Sequence, residues 1–458
     1  MLRLKQLTLF LGDMSMLYIG LFIALYIRYL ESPGYRFTEL LAPMGVLFFA
    51  GAVVMFIVGL YDISRTKNSW NFYQKIILSA IVWLVLGIIY FYVKPNTTIS
   101  PKTILLLTSF TGFGLLALWR FFYNKYISTT IWRVNVIFAG VTDEVKELIK
   151  IIREEPQRGY YVSGIIADAQ TCSNIFPDIP CGSNISEINA QNNSHPANLI
   201  VMSPGLASNE DLLKELYKKL FQQVSVISLA DFYEDVIKRI PPFTFSEGWF
   251  ISNLREQEKK MYDRFKILID YLAGILLGIF FAVTFPFIAL AIKLNSKGPI
   301  FYCQYRIGRQ GTPFKVCKYR TMKALSADGG AETQGPQYAS NNDSRITKVG
   351  KFLRGSRLDE IPQFINILKG EMAIIGPRPE RPEFVDQLTE KMPYYALRHV
   401  IKPGLTGWAQ VHNAYYGDLG ENLQKLEYDL YYIKNRGLVL DISISLRTIN
   451  ILARMIGR

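Results

Sequence analysis

DSRITKVGKFLRGSRLDEIPQFINILKGEMAIIGPRPE, Asp343 to Glu380, sets an adjacent carboxylate pair among six cations. The acids are Asp359 and Glu360. The six cations are Arg345, Lys348, Lys351, Arg354, Arg357 and Arg378, and Lys369 is a seventh Lys/Arg in the stretch. Cations at that density hold an anionic substrate, and two neighbouring acids can bind a metal ion or attack phosphorus. Ile361, Phe364, Ile365 and Leu368 recur at helical spacing, and Gly370 suits a stop. Pro362 is tolerated only in a first turn, so the acids are expected at the amino end of that helix. Two readings stand here. In the bland one Asp359 is an N-cap and Glu360 complements the helix dipole, together worth about 1–2 kcal/mol. In the functional one the helix end receives phosphate oxygens and the acids carry magnesium.

Outward from this stretch, Ile374–Glu380 reads as a strand and a rigid turn. Two prolines flank Arg378 and fix its direction, either as an exposed side chain or as a pre-aimed phosphate contact. Lys402–Val411 is glycine-rich around Trp408, which is a core indole or the border of a base pocket. Phe314, Val316, Lys318 and Arg320 share one strand face. Ser326–Asn342 reads as a mobile loop. Ile442–Ile456 suits a helix lying on a membrane or a core helix. His195, His399 and His412 show no metal-ligand spacing, so histidine acid–base chemistry is not expected.

The rest of the chain has the character of a membrane protein. Of 458 residues, 50% are hydrophobic and 14% aromatic. Gln6–Leu30, Leu41–Tyr61, Ile76–Val93 and Thr103–Trp119 each approach the roughly 20 residues needed to cross a bilayer. Flanking Lys and Arg place both ends of this block in the cytoplasm. Asp13, inside the first run, is expected to make a polar contact within the helices more than to serve a function. The opening MLRLK lacks a small-residue cleavage site and reads as an anchor. A net charge of +13 fits anionic headgroups or phosphorylated substrates, and no basic tract with interleaved aromatics favours nucleic acid. Cys172, Cys181, Cys303 and Cys317 fall in stretches placed in the cytoplasm, so free thiols are expected. Arg133–Glu247 alternates strand and helix, with strands at Val134–Phe138, Val162–Ile166, Leu199–Met202 and Val224–Leu229 and a charged helix at Asn209–Leu220. Its first turn, AGVTDE, lacks the glycine fingerprint of dinucleotide binding. A fifth apolar run, Ile267–Ile292, contains Pro286, where a kink or break is expected. Ordinary spanning and re-entry near Thr284-Phe285-Pro286 are both open from hydropathy. Re-entry keeps both soluble domains on the cytoplasmic side.

RIGRQGTPFKVCKYRTM, ITKVGKFLRGSRLDEIPQFINILKGEM, IGPRPE, KPGLTGWAQV and EYDLYYIKN occur in this order. Together they resemble the bacterial sugar transferases, the large monotopic polyprenol-phosphate phosphoglycosyl transferases. The resemblance covers about 200 residues from Lys266 onward. It implies transfer of a sugar-1-phosphate from a UDP-sugar to undecaprenyl phosphate with release of UMP, at the first membrane step of an exopolysaccharide, capsule or O-antigen. It implies that Asp359 is a nucleophile forming a phosphosugar-aspartyl intermediate, with Glu360 its partner and Mg2+ bound at the dyad. Arg354, Arg378, Lys318, Arg320 and Asp441 match substrate-binding positions, and Asp429 matches an acid with no assigned role. Phe285-Pro286 stands where the family often has Ser-Pro, and Lys266-Ile267 where it often has Lys-Arg. The implied fold is a helical transmembrane bundle at 1–125, a Rossmann-like α/β domain at 130–250 and a mostly α catalytic domain at 256–458 with a re-entrant membrane helix at 267–292. The implied location is the bacterial inner membrane with catalysis on the cytoplasmic face. The sugar and any homodimer are left open. A scaffold of polysaccharide export and a nucleotide-sugar oxidoreductase are the alternatives. The acid pair among cations disfavours the first, and the missing glycine fingerprint the second.

Overall fold

A computed structural model describes residues 2–62, 68–93, 101–131, 133–168, 172, 175–191, 196–204, 224–242, 249–250, 253–254, 259–326, 329–331, 343–392, 394–412 and 419–453. The expected helix at Asn209–Leu220 and most of the expected loop at Ser326–Asn342 lie outside these residues. The chain divides into two units, Met1–Phe232 and Tyr233–Arg458.

The first unit opens with α1 (Leu2–Tyr29), α2 (Gly34–Val58), α3 (Trp70–Val93) and α4 (Pro101–Phe122). All four are long and apolar enough to cross a membrane. With lipid as solvent, close packing and interhelical polar contacts hold such helices together. Trp83 of α3 is fully buried, stacks on Phe48 of α2 and donates to the Leu47 carbonyl at 2.9 Å. A Cβ on Gly20 would sit 2.3 Å from the Gly112 Cα, so only glycine lets α1 approach α4 this closely. Asp13 of α1 accepts from Arg120 of α4 at 2.6 and 3.0 Å, both side chains buried, and Arg120 also donates to the Leu60 carbonyl. The intramembrane acid is therefore a polar contact between helices.

The same unit carries a five-stranded parallel sheet of β1 (Val134–Ala139), β2 (Tyr160–Ile166), β3 (Cys181–Gly182), β4 (Leu199–Met202) and β5 (Ser225–Ser228). The spatial order is β3-β2-β1-β4-β5. The helix α5 (Asp143–Glu154) follows β1, capped by Thr142, whose side chain accepts from the Val145 amide. Its buried stripe is Val145, Leu148, Ile149 and Ile152, the helical spacing that packs one face on a sheet.

The second unit holds a 36-residue helix, Lys260–Asn295. An antiparallel hairpin follows, β6 (Phe301–Ile307) with β7 (Pro313–Tyr319). Next come a helix Lys348–Gly355, a 3-10 turn Leu358–Gln363 and a short helix Phe364–Leu368. A two-stranded parallel pair, β8 (Ala373–Ile375) with β9 (Gly404–Thr406), and helices Pro382–Lys391, Leu419–Asn435 and Leu438–Ala453 complete it.

Two expectations change. The cysteines are paired and not free, as Cys172–Cys181 and Cys303–Cys317. Compartment arguments say nothing about proximity, and the hairpin register sets Cys303 directly opposite Cys317. The fifth apolar run stays helical through Pro286, with no non-helical break at Thr284–Pro286. Phe281 and Phe285, one turn apart on the amino side of that proline, both stack on Phe301 of β6, and Phe281 also stacks on Tyr319 of β7. Thr284 returns its hydroxyl to the Phe280 carbonyl at 2.8 Å.

One face of this helix is covered by its own unit from Asp270 to Asn295. Asp270 accepts from the Ile374 amide at 2.9 Å, Gly274 meets Ile367 and Leu368, and Gly278 meets Phe364. Ile292 packs with Tyr319 and Leu353, and Asn295 accepts from the Val349 amide at 3.2 Å. The other face exposes Leu276, Val283, Phe287 and Leu290.

Candidate active site

The acid pair sits where two helical segments meet at a strained residue. Arg357 joins the Lys348–Gly355 helix to the Leu358–Gln363 turn with φ +56°, in the left-handed region. A non-glycine residue there costs of order 1–3 kcal/mol unless its surroundings hold it. Asp359 and Glu360 occupy the first turn after it and are 7% and 6% exposed. The capping reading does not hold. The cap position belongs to Arg357, no side chain caps the turn, and the element is a six-residue 3-10 turn instead of an α-helix end. Burying a carboxylate is costly unless it is paired or used.

Glu360 is paired. Its Oε1 accepts from Lys318 Nζ at 2.8 Å and Arg378 Nη2 at 2.7 Å, and Arg357 Nη1 lies 3.8 Å from Oε2. Strand alternation delivers Lys318: Phe314 and Val316 enter the core beside Ile367 and Met372, and the next residue on that face reaches the acid. Burial alone would raise Glu360. The charges of Arg378, Lys318 and Arg357 outweigh burial and hold its carboxyl well below the usual range. Asp359 differs. Its Oδ1 is buried and has no hydrogen-bond partner. Burial, then the neighbouring charge of Glu360, push its carboxyl up to about 7, against the pull of Lys318, Arg354 and Arg378. The two acids are thus driven apart: one fixed as an anion, one poised near neutrality.

Of the six cations around the pair, Arg354, Arg357 and Arg378 act on it. Arg345 is held by Asp343 at 2.6 Å and by the Ala331 carbonyl, while Lys348 and Lys351 are exposed. Two expected substrate contacts lie elsewhere. Arg320 donates to the Ser296 carbonyl at 2.7 Å and to the Lys297 carbonyl, tying down the carboxyl end of the long helix. Asp441 accepts from Tyr262, Tyr432 and Lys266 at 2.7, 2.8 and 3.1 Å, pinning that helix near its start. Trp408 is a core indole. It is 5% exposed, donates to the Lys238 carbonyl and stacks on Tyr431.

Sequence reasoning missed a second buried ionic cluster. Glu380 binds Arg306 and Lys425, and Asp429 binds Arg398 at 2.8 Å. Arg306, Glu380 and Asp429 lie in the quoted motif strings, and Arg398 and Lys425 lie outside them.

Among the described residues no group of three or more His, Cys, Asp or Glu side chains is arranged to hold a metal. A magnesium ion nevertheless fits the dyad, because it commonly uses one or two carboxylates and completes its shell with water and substrate phosphates. The partnerless Oδ1 of Asp359 is the matching observation.

A buried acid pair in a cationic cradle, on a unit laid along an exposed apolar helix, defines a membrane-associated enzyme for an anionic substrate. Residues 261–455 match the bacterial sugar transferase family, and residues 57–227 match a CoA-binding domain family. A UDP-glucose:undecaprenyl-phosphate glucose-1-phosphate transferase of Caulobacter vibrioides is 40% identical over 186 residues, which are 40% of this chain and 68% of the relative. A protein of the same name from Klebsiella pneumoniae is 29% identical over 457 residues, 96% of this chain and 93% of the relative. A UDP-N-acetylgalactosamine-undecaprenyl-phosphate N-acetylgalactosaminephosphotransferase of Aeromonas hydrophila is 43% identical over 181 residues, and there the chain covers 42% of the relative's length. The chain belongs to the bacterial sugar transferase family.

Proposed function

We propose that the protein transfers a sugar-1-phosphate from a UDP-sugar to undecaprenyl phosphate and releases UMP. The observation that carries this reading is the unequal dyad, with Glu360 locked by three cations and the Asp359 Oδ1 left without a partner. In the first step an Asp359 oxygen bonds to the sugar-bearing phosphorus, the bond from that phosphorus to the bridging oxygen breaks, and UMP leaves with the electron pair. In the second, an oxygen of the lipid phosphate attacks the same phosphorus and frees the carboxylate. Dividing the transfer lets two bulky anions use one site in turn. Arg354 and Arg378 neutralise the diphosphate, and Lys318 keeps Glu360 in place. Asp359 and Glu360 would hold magnesium, which when bound neutralises charge on the diphosphate.

The long helix lies along the membrane surface in this reading, with both ends on one side. Its covered face runs from Asp270 to Asn295, about 38 Å at 1.5 Å per residue. That exceeds the roughly 30 Å hydrocarbon core. Were the helix to span, the charged elements packed along it would have to enter lipid. Single cysteines replacing Lys260 and Lys297 should react with a membrane-impermeant reagent from the same side, and labelling from opposite sides refutes this placement. UMP release from a panel of UDP-sugars, with polyprenyl phosphate and magnesium, tests the activity itself. Silence across the whole panel refutes it.

A further inference from the structure

The turn that carries Arg378 is held by its own carbonyls. Four in succession each accept a hydrogen bond from a different residue. Gly404 N reaches the Pro377 oxygen at 2.9 Å, Arg398 Nη2 the Arg378 oxygen at 2.9 Å, Arg306 Nη1 the Pro379 oxygen at 3.2 Å, and Ile307 N the Glu380 oxygen at 2.8 Å. Three of these donors belong to elements that would be present whatever Arg378 did. Gly404 opens β9, and Arg306 and Ile307 end β6. Arg398 is different. It is 2% exposed and lies in a 3-10 turn, Tyr395–His399. Its guanidinium is divided among the Tyr395 hydroxyl at 2.6 Å, the Asp429 carboxylate at 2.8 Å and the Arg378 carbonyl. Asp429 is 1% exposed and comes from the Leu419–Asn435 helix.

A buried ion pair is weak evidence for stability, because desolvating two charges offsets most of their attraction. Such a pair is better explained by a geometry it fixes. Here, among the described residues, the backbone atom it touches belongs to the residue whose side chain reaches Glu360 at 2.7 Å. The flanking prolines remove two amide donors and lock φ on either side, so the turn offers more carbonyls than amides by which it can be gripped.

Resting on the function proposed above, we infer that Arg398 and Asp429 are a positioning pair. They touch neither acid of the dyad. They set the aim of Arg378 by holding its carbonyl, and so keep its guanidinium on Glu360 and on the phosphate that Asp359 attacks. Lysine at position 398 can keep the charge opposite Asp429, but its single ammonium lacks the planar fork that bridges carboxylate, hydroxyl and carbonyl together.

The test is a double-mutant cycle on the full-length protein in membranes, read by steady-state UMP release. Arg398→Lys and Asp429→Asn should each lower kcat about 10–100-fold, the cost of a small misplacement transmitted to a site. The KM for the UDP-sugar should change less than threefold. In an Arg378→Lys background, which retains a reduced rate, Arg398→Lys should cost less than threefold more, because its only route to the chemistry runs through position 378. Equal loss in both backgrounds, or a loss confined to folded yield with kcat unchanged, overturns the inference. Asp429→Asn keeps the volume and an acceptor for Arg398, so it supplies the answer if Arg398→Lys fails to fold. Wild-type protein that releases no UMP defeats the proposed function, and this inference with it. Wild-type turnover with additive mutants defeats the inference alone.

Discussion

Replacing Asp359 by Asn should abolish transfer and stabilise the fold, and the second effect should depend on pH. Burial and the charge of Glu360 push the Asp359 carboxyl from the ordinary range up to about 7. The unfolded chain releases that proton near pH 4. Between roughly pH 4 and 7 the folded state therefore holds more protons than the unfolded state, and stability falls as pH rises through that window. Below it the contribution is complete, and above it the loss is complete. A gap of about three pKa units at 1.36 kcal/mol each sets an upper bound of about 4 kcal/mol. Partial relaxation around the charged carboxylate makes about 2–4 kcal/mol the expected span at pH 8. Asparagine has the shape of the protonated acid and cannot ionise, so it escapes this loss. Thermal midpoints of the purified proteins in nanodiscs should coincide near pH 4.5. At pH 8 the variant should lead by about 4–16 °C, taking 2–4 °C per kcal/mol for a domain of this size. Equal midpoints at pH 8, or a larger lead at acid pH, would refute the assignment of Asp359 as a buried acid poised near neutrality.

The same poise predicts that kcat/KM for UMP release rises with pH through about 7, because only the carboxylate attacks. Glu360→Gln should lower the rate at least 100-fold and move the acid limb of the residual activity to lower pH, since it removes a charge that raises Asp359; an unmoved limb would contradict the coupling. In the helical bundle, Arg120→Leu leaves Asp13 buried without its partner, at a cost of about 3–5 kcal/mol. Arg120→Leu should sharply reduce the monodisperse yield in detergent, and adding Asp13→Leu should restore much of it. A double variant no better than the single would show that the pair is not what isolates that charge.

What the sequence disclosed was local. Asp359 and Glu360 are adjacent, Arg354 and Arg357 lie within five residues of Asp359, and the prolines around Arg378 announced a fixed aim, so the heart of the site was legible without coordinates. The face shared by Phe314, Val316 and Lys318 was legible from strand alternation, but that Lys318 ends on Glu360 was not, since 42 residues separate them. The partners of Arg320 and Asp441 were not legible, for the opposite reason. Their partners are the two ends of the long helix, 24 residues from Arg320 at Ser296 and 175 from Asp441 at Lys266. Motif matching names such residues but cannot say what they touch. The capping reading of Asp359 failed because helical spacing at Ile361, Phe364, Ile365 and Leu368 does not separate a 3-10 turn plus a short helix from one α-helix. The pairing of Arg398 with Asp429 spans 31 residues, and no periodicity connects a 3-10 turn to a distant helix. In the first unit, the four apolar runs and the strands at 134–139, 160–166 and 199–202 followed from hydropathy and β-branched content. The choice of Arg120 as the partner of Asp13 did not, since 107 residues separate them.

The central claim is the covalent step at Asp359. Enzyme incubated with its UDP-sugar and magnesium, without any polyprenyl phosphate, should release up to one equivalent of UMP in a single burst. Intact-mass analysis should then show one sugar-phosphate added to the protein, mapping to the peptide that contains Asp359 and discharged when the lipid phosphate is supplied. A sugar that supports full turnover with lipid, yet gives neither UMP nor adduct without it, would contradict the account and assign Asp359 to a direct transfer between the two substrates.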